Sequence, residues 1–539
     1  MAIPLGLAAR LRRPVSHRPS RRPPWGLVAV GSVVATMAAL PIIYLIIRAL
    51  GADAGAMALL FRPRTIELLV SSLGLAAGVA LGASLVGLPL AWLTSRSDLP
   101  GARIWTVLVT VPLAIPSYVL AFALVAAAGP QGTLRDALAA LGLEGIPSLY
   151  GLPGALLVLI LATYPYVLLA ARAALLRADP AVEDAARSLG DPAWRAFRRV
   201  TLPLLMPAVA AGALLAALYA ISDFGSVSIL RFDSFARAIH VQYRSSFDRA
   251  GGAALALVLM VATFGLVWVE ARVRRRAALS VQHGRRRAAR RIRLGKWRWP
   301  ALLLCATVVG LALVLPTATI LIWALRGASA AAGVADLVEA TRDSLVAGGA
   351  AALATAALAL PLAVLFVRHR GPLATVVERL SYGAAAMPGI CLALALVFLT
   401  LNAVPAIYQT LPVLVIGYAL RFLPQATAAI RGTLVLTGAD LTDAARSLGE
   451  RSLGIWRTIT VPLLRPGILA GATLVFLSTI KELPLTLLVA PTGFRTLATR
   501  VYDAATEGFL ARAAVPALAL LVVSLASAGL LLRDGETRS

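Results

Sequence analysis

Four titratable residues interrupt apolar stretches of this chain: Asp223, Arg421, Lys481 and Glu482. A charge at the centre of a membrane-spanning helix costs about 2.5 to 3.5 kcal/mol on insertion scales, and much less near the helix ends. Such groups are kept for pairing between helices, for anchoring at an interface, or for lining the path of a polar solute. Asp223 and the neighbours Lys481 and Glu482 end two equivalent apolar runs, where anchoring or interdomain pairing competes with a gate or solute path. Arg421 lies deeper in its run, where a helix-end carbonyl is an alternative partner. The phenols of Tyr118, Tyr164 and Tyr166 suit a hard cation, although core or interface packing is the commoner use of tyrosine. His17, His240, His283 and His369 have no metal-ligand spacing, and Cys305 and Cys391 each sit alone in an apolar run, as buried free thiols do. No catalytic residue, metal site or cofactor is expected.

Lysine alone bears on nucleotide hydrolysis. A Walker-type phosphate loop needs Gly-Lys followed by Ser or Thr. Among 51 basic residues the only lysines are Lys296 and Lys481, which precede Trp297 and Glu482.

The elements that must position these groups are membrane helices. The 539 residues are 59% hydrophobic with a mean hydropathy of +0.84, against roughly 45 to 50% apolar content in soluble chains. Backbone groups in lipid must be satisfied within their own segment, so the expected fold class is an all-α membrane protein without a sheet. The +26 net charge is nearly all arginine and clusters between apolar runs. That pattern reads as cytoplasmic loops beside a bilayer, with no nucleic-acid partner.

A basic cytoplasmic segment, 1–24, precedes the run 25–47. That run is too long for a signal peptide core of about 7 to 15 residues and close to the roughly 20 that cross a bilayer. Runs follow at 68–94, 104–128, 151–174, 204–222 and 252–269, making a first six-helix domain over 25–270. An arginine-rich linker, 271–299, resists translocation and attracts anionic lipid. Runs at 300–325, 344–367, 379–401, 408–436, 463–479 and 512–532 make a second domain over 300–533, before a tail at 534–539. Helix parity then puts both termini and the linker in the cytoplasm. It puts there too the polar breaks 179–203 and 438–462, which follow the fourth run of each half.

The halves repeat. At an offset of 272, Ser72, Pro89, Pro100 and Pro116 match Ser344, Pro361, Pro372 and Pro388. After the loop 129–150 the offset becomes 259, matching Pro165, Arg172, Pro207 and Gly212 to Pro424, Arg431, Pro466 and Gly471. Two parallel six-helix repeats imply a pseudo-twofold axis along the membrane normal, with a pathway between them.

The polar breaks carry the clearest repeat. Asp184-Ala185-Ala186-Arg187-Ser188-Leu189-Gly190 is followed after nine residues by Val200-Thr201-Leu202-Pro203. Asp443-Ala444-Ala445-Arg446-Ser447-Leu448-Gly449 is followed after nine more by Ile459-Thr460-Val461-Pro462. Asp179-Pro180 starts a helix, and Gly190 and Gly449 supply left-handed stops. Asp191-Pro192 is expected to start a second short helix with a stripe of Trp194, Phe197 and Val200, matched by Leu453, Trp456 and Ile459. An amphipathic pair packed under its own bundle would explain one copy; two copies at one spacing point to a shared partner.

These stretches resemble the EAA loop of binding-protein-dependent ABC transporter permeases: Glu-Ala-Ala, three residues, Gly, nine residues, Ile-x-Leu-Pro. Both copies have Asp in the Glu position, and Val461 replaces Leu. The resemblance covers nearly the whole chain as two fused permease domains, implying the type I ABC importer permease fold. It implies coupling to two ATP-binding subunits at the cytoplasmic loops through Asp184, Ala185, Ala186 and Gly190, and through Asp443, Ala444, Ala445 and Gly449. It further implies a solute-binding protein on the external face of the cell inner membrane. Fusion, with Ser222-Asp223-Phe224-Gly225, Lys481-Glu482-Leu483-Pro484, Arg421-Phe422-Leu423-Pro424 and the stretches 235–243 and 494–502 taken as in register, is similar to the ferric iron uptake type. Thiamine or organophosphonate import by the same machinery stays open. An ion-coupled carrier would need midplane acids, and a membrane enzyme a catalytic cluster in a loop.

The purified chain, freed of partner subunits, is expected to show no ATP hydrolysis. Turnover that survives stringent removal of every partner would contradict this.

Overall fold

The computed structural model describes residues 23–51, 58, 60–129, 132, 134–135, 142, 148–245, 249–280, 291–327, 334–369, 371–437, 444–445 and 447–536. Among these, helices account for the architecture, and the one β-type contact is a bridge between Ser97 and Ile292. The first half contains α1 (Trp25–Leu50), α2 (Pro63–Arg96), α3 (Ala102–Leu108), α4 (Ser117–Ala128), α5 (Leu152–Arg177), α6 (Pro180–Ser188), α7 (Leu202–Ser222), α8 (Gly225–Ile229), α9 (Phe235–Ser245) and α10 (Arg249–Ser280). The second contains α11 (Arg298–Val309), α12 (Leu315–Gly327), α13 (Val334–Arg368), α14 (Pro372–Ala386), α15 (Gly389–Ala403), α16 (Leu411–Thr437), α17 (Val461–Ile480), α18 (Pro484–Val489), α19 (Leu497–Thr506) and α20 (Leu510–Glu536).

Nine helices among the described residues are long and apolar enough to cross a membrane, and two bent pairs raise the number to eleven. With α20, whose apolar part Leu510–Ala526 is shorter, these account for the runs read from the sequence. The third run of each half is not a straight span. The helical segments either side of Pro116 meet at 98°, and those either side of Pro388 at 106°. A residue before proline is pushed out of the helical region. Ile115 (ψ 124°) and Met387 (ψ 137°) are accordingly extended, and a new helix restarts directly after each proline.

Each half is built on three helices in mutual contact, α2, α5 and α7 in the first and α13, α16 and α17 in the second. Small residues permit the approach, since lipid gives apolar helices little other reason to associate. A Cβ on Gly212 of α7 would lie 2.7 Å from the Val167 Cα and 2.9 Å from the Tyr166 carbonyl of α5. Its repeat mate Gly471 faces the backbone of Ala426 at 3.1 Å. The first helix of each half crosses over: α1 packs on α13, α14 and α15, and α12 packs on α4 as well as on α20. The two halves are thereby interlocked.

Ser72 and Ser344 have matching tasks. Their hydroxyls accept the backbone N–H of Phe235 and of Leu497, each at 2.8 Å, at the starts of α9 and α19. Phe235 therefore matches Leu497 rather than Phe494, which corrects the expected register of 235–243 against 494–502. The extra residues form the turn before α19, where Gly493 takes a φ of +83°.

Gly212→Leu is expected to lower stability by about 1 to 3 kcal/mol or more through overpacking against the α5 backbone. Gly265→Leu, at a glycine with nothing within 4 Å, should stay near wild type. Thermal melts of the detergent-purified variants would show the difference, and equal melting temperatures would refute it.

Candidate functional site

The expected path residues converge where α7 and α17 end. Asp223 follows α7 and is buried. Its Oδ1 accepts the N–H groups of Ser226 (3.0 Å) and Val227 (3.3 Å) and the Ser226 hydroxyl (2.5 Å). Its Oδ2 accepts the hydroxyl of Ser117, the first residue of α4. The carboxylate thus caps the short α8 and ties it to the broken helix. A buried carboxylate is tolerable when both of its oxygens are hydrogen-bonded in this way.

Glu482 holds the equivalent place after α17, with other partners. Its Oε2 pairs with Arg421 Nε at 3.1 Å, and Arg421 Nη1 donates to the Met387 carbonyl at 2.8 Å, where α14 ends. Arg421 therefore meets both a carboxylate and the helix-end carbonyl expected of it. Gly389 stands where the first half has Ser117. A Cβ there would lie 2.6 Å from Glu482 Oε1, so glycine makes the room that the longer acid needs. That Oε1 has no hydrogen-bond partner among the described residues. Lys481, its neighbour in the chain, is half-buried and forms no ion pair among the described residues.

Around this centre α8 reaches across the halves to Leu483, the residue before α18, and to α19. A Cβ on Gly225 of α8 would meet Leu483 Cδ2 at 2.9 Å and Tyr118 Cβ at 2.8 Å. The Tyr418 and Thr486 hydroxyls share a bond of 2.6 Å, and Thr486 donates to the Glu482 carbonyl, steadying α18. Tyr164 and Tyr166 join no ligand set: Tyr164 donates to the Val109 carbonyl at 2.6 Å and Tyr166 lies against Tyr219, while the Tyr118 hydroxyl is buried with no hydrogen-bond partner among the described residues. No group of three His, Cys, Asp or Glu residues among those described is placed to hold a metal. Ser117, Gly389 and Tyr418 were not singled out from sequence; each signals itself only through a neighbour distant in the chain.

The motif loops lie at the far end of α7 and α17. Asp179 caps α6, accepting from Ala181 N at 2.9 Å, with Pro180 at the first turn. Gly190 takes a φ of +96° and its N–H donates to the Arg187 carbonyl, while Asp191 N donates to Ala186 O at 3.2 Å. This reciprocal pair is the Schellman arrangement. Gly449 (φ +87°) ends the second copy with Glu450 N donating to Ala445 O at 3.1 Å. Asp443 lies outside the described residues, as do 438–442 and Arg446. Asp184 and Ala185 are exposed, and Ala186 is half-buried.

The expected second short helix is a single turn that runs on into the membrane helix. A π turn joins them at the same place in each half, Phe197–Thr201 and Trp456–Thr460. Proline cannot donate, so the carbonyl four residues earlier loses its partner. Just before Pro203 and Pro462 the ladder shifts to bonds five residues back, Leu202 N to Phe197 O and Val461 N to Trp456 O. Within the Trp194/Phe197 stripe the two rings stack at 5.9 Å, and Phe197 also packs edge-on against Trp92, while Trp194 is 69% exposed. Leu189 and Leu448, 90% and 86% exposed, are the most exposed apolar groups among the described loop residues.

A repeated helical membrane bundle with two broken helices, buried charges at its centre and twin surface loops is the type I permease architecture. The sequence profile of the family described as binding-protein-dependent transport system inner membrane component matches residues 83–279 and 351–533, and the chain belongs to that family. The Fe(3+)-transport system permease protein FbpB 2 of Haemophilus influenzae is 31% identical over 513 residues, covering 94% of this chain and 97% of that protein. The molybdate/tungstate transport system permease protein WtpB of Thermococcus kodakarensis is 28% identical over 44% of this chain and 90% of its own length. The probable sulfate transport system permease protein cysT of Chlorella vulgaris is 31% identical over 36% and 73%.

Removing one member of the Arg421–Glu482 pair strands the other. Arg421→Met or Glu482→Leu alone is expected to cost about 3 kcal/mol, and the double variant less than either single one. Melting temperatures of the purified set would check this; additive losses would show that the pair is not coupled.

Proposed function

We propose that this chain is the membrane-spanning part of an ATP-driven importer that receives ferric iron from an external solute-binding protein and passes it between its two halves. The observation that carries the substrate is the 31% identity to a ferric iron permease along both halves, 94% of this chain. The relatives named for molybdate, tungstate and sulfate match less than half of it. Passage is proposed to be gated where α8 meets Leu483, just before α18, with Asp223 and the Arg421–Glu482 pair holding the gate and Lys481 next in the chain. The proposed domains are 25–270 and 300–533, joined by the linker 271–299.

ATP hydrolysis is assigned to two separate subunits, one under each loop. In this reading Asp184, Ala185, Ala186 and Gly190, with Asp443, Ala444, Ala445 and Gly449, form the coupling elements. The projecting Leu189 and Leu448 support it, because so much apolar surface at a loop tip calls for a partner. Both termini are placed in the cytoplasm. In support, the linker's described end is held beside the first loop: Ile292 bridges to Ser97, and Arg96 donates to the Leu175 carbonyl near the end of α5.

A deletion strain is expected to grow poorly under iron limitation and to lose uptake of radiolabelled ferric iron. Rescue by thiamine but not by iron would overturn the substrate and leave the permease standing. Coupling has its own test. At the positive φ of Gly190 and Gly449 a Cβ costs on the order of 1 kcal/mol, more when branched. Nothing among the described residues lies within 4 Å of a Cβ at either position, so the strain stays local. Gly190→Val or Gly449→Val should insert normally, yet lose most binding-protein-stimulated ATPase activity and uptake. Normal transport by a well-expressed variant would remove the coupling role of that loop.

A further inference from the structure

At the end of the bundle away from the motif loops, a cleft of about 340 Å³ opens on the seam between the halves. Tyr150, Arg231, Arg237 and His240 line it from the first half, Tyr502 and Glu507 from the second. Its position follows from α5, which runs from just beyond Tyr150 to the motif at Asp179.

Arg231 is held in the left-handed region, φ 54°, with its guanidinium 5.3 Å from the centre of the Tyr150 ring. It has no carboxylate partner among the described residues, so its planar fork of donors is free. Arg237 spends one nitrogen on Asp233 at 2.6 Å and keeps further N–H groups to give. The Tyr150 and Tyr502 phenols add neutral donors. His240 Nδ1 is buried without a partner. Burial, then the neighbouring Arg244, push this imidazole down to about 4, so it serves as a neutral hydrogen-bonding group. Two guanidiniums thus face one lining carboxylate, Glu507.

The repeat does not force this composition. The second half has Ala490 in place of Arg231 and Gln409 in place of Tyr150, and by the register of the helix starts Thr499 in place of Arg237. The cleft is cationic on one side of the pseudo-axis alone. Its floor leads to the centre already described: Phe224, next to Asp223, lies 4.7 Å from the His240 ring and 5.4 Å from the Tyr502 ring.

We propose that this cleft binds a small anion with two or more oxygens, of the carboxylate or phosphate class, clamped by Arg231 and Arg237 and capped by the phenols. A guanidinium fork matches such an anion in two parallel hydrogen bonds, which fixes its orientation as well as its charge. The bound anion rests against the ring cluster that abuts α8, at the mouth of the proposed pathway. The site stands whichever solute is carried, so its failure and the failure of the iron reading are separate results.

Binding of radiolabelled citrate and of inorganic phosphate to the full chain in lipid nanodiscs tests it, the two arms separating the anion classes. Saturable binding of at least one is expected, weakened about tenfold or more by Arg231→Ala. Arg342→Ala, which removes an exposed arginine paired with Asp343 in the other half, should leave it unchanged. On the wild-type protein the bound anion should also protect Arg231 from phenylglyoxal, read by mass spectrometry, so the outcome does not hang on one variant. No saturable binding of either anion up to about 10 mM, equal binding by Arg231→Ala, equal loss in Arg342→Ala, or no protection of Arg231 would each overturn the proposal.

Discussion

A bilayer offers the backbone no water, so every peptide group freed by a helix break must find a partner within the protein. This chain breaks its helices in each half, at Pro116 and Pro388 and again after α7 and α17. At each break a polar side chain completes the bonding. Tyr164 supplies the Val109 carbonyl, Arg421 the Met387 carbonyl, Asp223 the N–H groups of α8, and Ser72 and Ser344 the N–H groups that open α9 and α19. The buried polar residues are first of all the means by which irregular backbone survives at depth. Any part they take in passage is built on that duty.

The two halves meet the same constraint with different chemistry. Ser117 and Asp223 make a compact neutral-to-anion contact, whereas Gly389, Glu482 and Arg421 make a longer ion pair in the equivalent space. The volume removed by glycine is the volume taken by the extra methylene of glutamate. A similar exchange recurs nearer the motif end: Arg172 donates to Thr106 in the first half, and its mate Arg431 pairs with Glu378 in the second. Backbone geometry is repeated while charge is not, so a pathway along the pseudo-axis has unlike walls.

Much of this was legible in the sequence because lipid imposes a strong, local rule. Apolar runs of about twenty residues and their polar breaks identify the helices, and the offset between halves identifies the repeat. The stops at Gly190 and Gly449 were readable too, since a left-handed residue after a helix is a one-residue property. What escaped was relational. A run that bends sharply has the same hydropathy as a straight one, so the prolines at 116 and 388 were visible as matches and not as corners. The register of α19 slipped because Phe235 and Phe494 look alike in sequence, while the serine caps that set the true match lie far upstream. The partner of Glu482 is distant in the chain, and the adjacent Lys481 is the misleading neighbour.

The π turns bring these observations together. In each half the helix that ends at the buried carboxylate begins, through a π turn, at the motif loop, with no loop between them. At 1.5 Å per residue, α7 and α17 are rods of about 30 Å. A rod joined at its base by a shifted hydrogen-bond ladder can change angle there without unravelling, because the π turn has already relaxed the bonding around Pro203 and Pro462. Its other end is tied to a broken helix that rests against the other half, by Asp223 directly and by Glu482 through Arg421 of α16. If the loops are the points at which the ATP-binding subunits push, the displacement is delivered where α8 meets Leu483, just before α18. It arrives on two carboxylates with unequal restraints: Asp223 is held by four hydrogen bonds, while Glu482 has one oxygen free. The second half is therefore the side on which the contact can rearrange first.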